Sequence, residues 1–141
     1  MAKAAAAGVL APAAISPADL KAMARGRLRD ARVLLQANRL DGAVYLCGYA
    51  VEMALKARIC RTLRWPEFPQ KSDHTKVLRT HSLAVLLEYS GIDSRIKTNY
   101  MAAWSAVQNW NPESRYDPTR VVSQQEANDM ISAAATLLRT I

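Results

Sequence analysis

Four polar side chains lie at helical spacing inside an otherwise apolar stretch. Tyr45, Tyr49, Glu52 and Lys56 follow one another at intervals of four, three and four residues. At about 100° per residue, these side chains fall within about 60° of one another on a helix. Because their neighbours are apolar, part of this polar stripe should face packed protein, where a carboxylate is costly without a cation or several donors. The stripe therefore predicts a partner for Glu52.

Two cations are candidate partners for Glu52. Lys56 is one helical turn away, and Arg115 lies in the irregular segment WNPESRYD, where its guanidinium can grip a carboxylate with two hydrogen bonds. We expect a Glu52–Arg115 pair that ties this segment to the helix, with Tyr116 in the same cluster. Two interpretations stay open: a buried structural clamp, and a ligand-binding or catalytic site.

His81 and the nearby Arg79 are the candidates for catalysis. A neutral imidazole can act as a general base, although an isolated histidine also commonly serves as a cap or a packing residue. The chain has no Gly-rich phosphate loop, paired CxxC, HExxH or nucleophile elbow. No motif of these kinds therefore predicts a metal site or a cofactor.

Helices position these residues. Ser16, Pro17 and Asp19 form a helix start, and apolar residues at helical spacing continue to about Asn38. The other side of this first helix is basic. A second helix, with Asp41 as its candidate cap, should continue without interruption to about Leu63 and, being apolar almost all round, occupy the centre of the fold.

A loop over residues 64–80 is predicted next, and its length makes it a candidate functional segment or lid. Thr80 or Ser82 should then cap a third helix that stops at Gly91.

Two more helices complete the prediction. The fourth should begin at Asp93 or Ser94 and end at Asn111, whereas Ser123 and Glu126 form a capping-box signature for the last helix. The economical architecture is an all-α, four- to five-helix up-and-down bundle.

The composition fits one helical domain. The chain has 141 residues, of which 50% are hydrophobic and only 6% aromatic, so one core can be buried and packed helices are favoured over sheets. We expect residues 1–15 to be a flexible, Ala-rich lead-in and residues 16–141 to form the domain. No segment is long and apolar enough to predict a membrane span.

Two cysteines, Cys47 and Cys60, lie within the second helical pattern. Along one helix they would be roughly 20 Å apart, against a limit of about 7 Å between the Cα atoms of a disulfide. We therefore expect buried free thiols and a reducing cytoplasmic location.

The net charge of +7 is unevenly distributed. Through Arg64 the chain has eleven Lys and Arg against four Asp and Glu, and the remainder has eight of each. Such an excess can attract phosphate-rich partners, although a solvated helix face is an equal alternative. Four aromatic side chains could stack on bases, but their positions favour core packing: Trp65, Phe68, Trp104 and Trp110.

The sequence resembles the HEPN family in three stretches: LLQANRLDGAVYLCGYAVEMALKARI, RTHSLAVLLEYSGI, and WNPESRYDPT followed by the terminal helix. The first stretch is the most specific. The resemblance implies a helical bundle that frequently forms homodimers, RNA or nucleotides as ligands, and association in bacteria with nucleotidyltransferases, often as toxin and antitoxin.

The chain departs from the catalytic members of this family. Active HEPN ribonucleases carry an arginine separated from a histidine by four to six residues, and no such pair occurs here; Lys76 has the spacing to His81 but is the wrong cation. The leading hypothesis is therefore a noncatalytic HEPN-like protein that binds nucleotide or RNA phosphate or partners a nucleotidyltransferase. The alternatives are a metal-independent ribonuclease toxin that uses His81, and a structural protein-interaction module.

Overall fold

The computed structural model describes residues 14–69 and 73–141, without the side chains at 14, 73–75 and 115. The predicted lead-in over residues 1–15 lies outside the described residues except for its last two. Within the described part the chain forms six α-helices, two short 3₁₀ helices and one pair of two-residue strands, which confirms the predicted all-α class.

The first two helices form a hairpin. α1 (Pro17–Gln36) is capped by Ser16, whose side chain accepts a hydrogen bond from the Asp19 amide, as predicted. The chain turns at Asn38, which has a φ of 60°, and α2 (Leu40–Leu63) begins with Arg39 at its N-cap. The prediction of Asp41 as the cap is therefore wrong, because the tight turn starts the helix earlier and places Asp41 in its first turn.

α2 is the central helix, as predicted. It packs against α1 and against the later helices, and half of its residues are buried. Cys47 and Cys60 are free and fully buried, which confirms them as core residues. The polar stripe is therefore the exception in a helix that is otherwise mostly apolar.

The segment after α2 is more ordered than a simple loop. β2 (Phe68–Pro69) pairs antiparallel with β1 (Ala14–Ile15), which precedes α1. A 3₁₀ helix follows at Asp73–Leu78. The backbone pairing joins the start of α1 to the segment that follows α2.

The third helix begins and ends as predicted. α3 (Leu83–Ser90) is capped by Ser82 and stopped by Gly91, which has a φ of 81°.

The predicted fourth helix is two helices. α4 (Asp93–Asn99) and α5 (Met101–Val107) are then separated at Tyr100, whose backbone is not helical. This interruption raises the helix count above the predicted five.

The chain ends with the second 3₁₀ helix, Pro112–Tyr116, and α6 (Gln124–Thr140). Ser123 caps α6 through its side chain, as predicted, but the Glu126 carboxylate contacts Arg120 at 2.6 Å. The core lies between α2 and the surrounding helices. Trp104 and Phe68 are buried in it, and Trp65 and Trp110 pack against it, which confirms the core assignment of these aromatics.

Candidate functional site

Glu52 lies at the centre of the polar stripe on α2 and is only 4% exposed. Both of its carboxylate oxygens have partners. Lys56 Nζ donates a hydrogen bond to Oε2 at 2.9 Å, and His81 Nδ1 lies 2.8 Å from Oε1. Buried carboxylates need such partners because the low dielectric penalises an uncompensated charge.

The N-terminal end of α3 presents His81 to Glu52. Thr80 accepts a hydrogen bond from the Ser82 amide through its hydroxyl oxygen at 3.0 Å, and Ser82 caps α3. This local structure holds His81 just outside the helix. An ionised Glu52 requires the tautomer in which Nδ1 carries the proton, and in the neutral ring this leaves Nε2 as an acceptor.

His81 borders two cavities. One, of about 260 Å³, is also lined by Glu52, Lys56 and Arg79. The other, of about 430 Å³, is lined by residues that flank His81 and by the segment after α5. The His81 side chain is 55% exposed, so a solute in either cavity has access to the imidazole.

Aromatic rings continue the stripe along α2. Tyr49 makes edge-to-face contacts with Tyr45 at 5.1 Å, with His81 at 5.7 Å and with Trp110 at 4.9 Å between ring centroids. This geometry is favourable for aromatic pairs. The rings fix one side of the imidazole, while Glu52 fixes its Nδ1 atom.

Gly48 allows Trp110 to approach α2. A Cβ atom added to Gly48 would lie 1.9 Å from the Trp110 indole, far inside van der Waals contact. The sequence indicates Trp110 only as a core residue, and the pairing needs the tertiary fold. The isolated glycine inside an uninterrupted helical pattern is the one local signal for such a close approach.

A scan against protein-family models matches the HEPN domain over residues 18–141. The chain belongs to the HEPN family. This match confirms the resemblance that the sequence carries. No curated protein and no solved structure matches the chain.

This HEPN domain brings together most of the predicted polar cluster. Tyr45, Tyr49, Glu52 and Lys56 share one face of α2, as predicted. His81 reaches that face as the second partner of Glu52, a role that its sequence position alone did not predict. Arg79 lines the same cavity.

The predicted Glu52–Arg115 pair stays a prediction. The Arg115 side chain lies outside the described residues, although its backbone is in the second 3₁₀ helix. Tyr116 is in the same 3₁₀ helix and is 68% exposed. Glu52 therefore has two described partners, Lys56 and His81, whether or not Arg115 contributes a third.

Two absences apply to the described part of the HEPN domain. In residues 14–69 and 73–141 no group of three or more His, Cys, Asp and Glu side chains is placed to hold a metal ion. The helices described here also include none with the length and hydropathy required for a transmembrane span.

Proposed function

We propose that this HEPN-family protein associates with nucleotides or RNA through their phosphate groups and does not cleave them. The observation that supports this proposal most strongly is the cationic side of α1. Four basic residues are exposed there, beside the buried face of the helix: Lys21, Arg25, Arg29 and Arg32. Phosphate contacts supply most of the nonspecific affinity for nucleic acids.

The charges on this surface are available to a ligand. Arg27, on the same helix, is paired with Asp30 at 3.3 Å. By contrast, none of the four exposed residues forms an ion pair with any described part of the chain. A surface of unneutralised lysine and arginine attracts anions over distances of about 10 Å at moderate salt.

The arrangement around His81 supports binding without cleavage. Lys76, five residues before His81, has the spacing of the arginine found in catalytic HEPN ribonucleases, but it is a lysine. Lysine does not offer the planar, forked contact through which arginine grips a phosphate. In this proposal the Glu52 cluster is a structural clamp between α2 and the segment before α3.

One experiment tests this function. A 5′-labelled single-stranded RNA of mixed sequence is incubated with the purified protein in EDTA, and then run on native and denaturing gels. We expect a slower native band and an intact strand on the denaturing gel. An unbound strand contradicts the association with RNA. Adenosine triphosphate then replaces the RNA as the probe, to test binding of a nucleotide.

Family membership supports two further parts of the proposal, homodimerisation and pairing with a nucleotidyltransferase in a toxin–antitoxin system in the cytoplasm. Light scattering of the pure protein measures the first, and a monomeric mass contradicts it. Co-purification with the product of a neighbouring nucleotidyltransferase gene tests the second. If neither RNA nor nucleotide binds and a partner protein co-purifies, a structural interaction module is the better description.

A metal-independent ribonuclease is the second candidate function. It is favoured by the buried Glu52 carboxylate, which orients the half-exposed His81 imidazole, and by Arg79 on the wall of the same cavity. A carboxylate that orients an imidazole is a common arrangement for a general base. RNA cleavage in EDTA that disappears in His81→Ala would establish this candidate and contradict the noncatalytic one.

A further inference from the structure

A cavity of about 620 Å³ lies between α1, α2 and α6. Its walls are cationic: α1 contributes the four exposed basic residues named above, α2 contributes Arg58 and Arg61, and α6 contributes Arg139. Among the side chains that the structure describes, no acidic one lines it. We call this cavity the arginine groove.

The arginine groove is separate from the Glu52 cluster. Arg61 lies nine residues after Glu52 on α2, which places it about 180° away around the helix. The cavity beside Glu52 and His81 shares none of its described lining residues with the groove. A ligand in one of these cavities therefore does not occupy the other.

Arg58 contributes a buried, unpartnered donor to the groove. Its Nε atom is buried and has no hydrogen-bond partner in the described structure. Burial lowers the pKa of Arg58, and the nearby charges of Arg61 and Arg95 lower it further. A buried donor without a partner is costly, so an anion that accepts from Arg58 would offset that cost.

The groove also has an apolar floor. Ala24 and Leu28 of α1, Ala54 of α2 and Leu138 of α6 line it beneath the cations. Small-molecule sites commonly combine such apolar surface with a few polar groups, in volumes of about 300–1,000 Å³. The floor suits a base or sugar, while the guanidinium groups match the oxygens of a phosphate.

We propose that the arginine groove binds a ligand that carries two or more phosphates in series together with a nucleobase, as a nucleoside triphosphate does. This inference rests on the proposed function and gives it a site. One phosphate would leave most of the cations of the groove without a counter-charge, and a polyphosphate chain brings several charges at once. Single-stranded RNA also presents several phosphates together with bases, as separate diesters, and the test distinguishes it from a nucleoside triphosphate.

Isothermal titration calorimetry at fixed salt tests the proposal with adenosine triphosphate, inorganic triphosphate, adenosine and a 12-nucleotide RNA. We expect adenosine triphosphate to bind more tightly than inorganic triphosphate, and adenosine not to bind. Arg58→Gln and Arg29→Gln should each weaken triphosphate binding about tenfold, the effect of losing one charge-assisted contact. Thermal unfolding of each variant shows that it remains folded.

Arg39→Gln is the matched control. Arg39 is exposed at the start of α2 and is not a groove residue, so this variant loses the same charge elsewhere. We expect its affinity to stay within twofold of the wild type. An equal loss of affinity in Arg39→Gln and Arg29→Gln would show that binding responds to net charge alone. That result would overturn the groove as the binding site.

The remaining outcomes separate the two proposals. A second outcome is that the RNA binds and adenosine triphosphate does not. If Arg58→Gln and Arg29→Gln then weaken RNA binding, the groove is still the binding site and RNA is its ligand. If the RNA or the nucleotide binds with no loss in either groove variant, the groove is wrong and the proposed function stands. If the wild type binds neither probe, both are wrong.

Discussion

Glu52 and His81 are 29 residues apart in the sequence, and their side chains meet at 2.8 Å in the fold. The contact joins the middle of α2 to the residue that precedes the cap of α3. Lys56 occupies the other carboxylate oxygen, so both oxygens of the buried acid have a partner.

Glu52→Ala should lower the free energy of unfolding by about 2–3 kcal/mol. The change removes the carboxylate and leaves Lys56, whose side chain is only 16% exposed, without its counter-charge, and breaking buried pairs carries costs of this size or more. Urea denaturation followed by circular dichroism measures it. Glu88→Ala, on the exposed side of α3, is the control and should change stability by less than about 0.5 kcal/mol. Equal effects in the two variants would show that Glu52 is not a clamp.

Gly48→Ala should destabilise the protein by at least about 2 kcal/mol, because the new methyl group would overlap the Trp110 indole. Gly26→Ala is the matched control on α1, where the nearest atom to an added Cβ is 3.8 Å away. Alanine there should stabilise the helix by about 0.5–1 kcal/mol. Thermal unfolding of both variants gives the comparison, and a Gly48→Ala protein as stable as the wild type would contradict the close approach of Trp110.

Local sequence signals predicted much of the fold. Ser16, Ser82 and Ser123 cap helices and Gly91 stops one, because capping depends on the few residues around a helix end. The break at Tyr100 leaves no such local signal, since the apolar spacing continues across it although the backbone there is not helical.

The candidate site was predicted only in part from sequence. The spacing on α2 placed Glu52 and Lys56 on one face, since a helix fixes that relationship. The partnership with His81 and the position of Trp110 against Gly48 depend on how distant segments pack. The arginine groove likewise needs three helices, of which the sequence indicated only the basic side of the first.

Cys47 should react with thiol reagents only after unfolding. Burial raises the pKa of its thiol to about 12 from 9.0, so the reactive thiolate at pH 8 is about 1,000-fold scarcer than in an unperturbed cysteine. Iodoacetamide labelling followed by mass spectrometry should find Cys47 unmodified in the native protein and modified in guanidinium. Rapid native labelling of Cys47 at pH 8 would contradict its burial.

The same pKa shift makes stability depend on pH. Because the folded state retains a proton that the unfolded state loses, this thiol's contribution to the free energy of unfolding should fall as the pH rises from 9.0 through about 12.

Arg58→Met should raise the stability of the ligand-free protein by about 1 kcal/mol. Methionine keeps an apolar chain in the cavity wall and removes a buried donor that has no partner in the described structure. The nearby Arg61 and Arg95 charges would also repel one cation fewer. Denaturant unfolding without added anions measures the gain, and the control Arg39→Met should show none. A loss of stability in Arg58→Met would show that the guanidinium makes stabilising contacts in the folded protein and would contradict its unsatisfied state.

The dependence of RNA affinity on salt measures directly whether the protein binds RNA through its phosphates. For a single strand the slope of log affinity against log salt is about −0.7 for each phosphate contact. With about four contacts to the cations of α1 and α2, we expect a slope near −3, measured by fluorescence anisotropy of a labelled RNA that remains full length throughout. A slope near zero would contradict binding through phosphates, and a strand that shortens during the titration would contradict binding without cleavage.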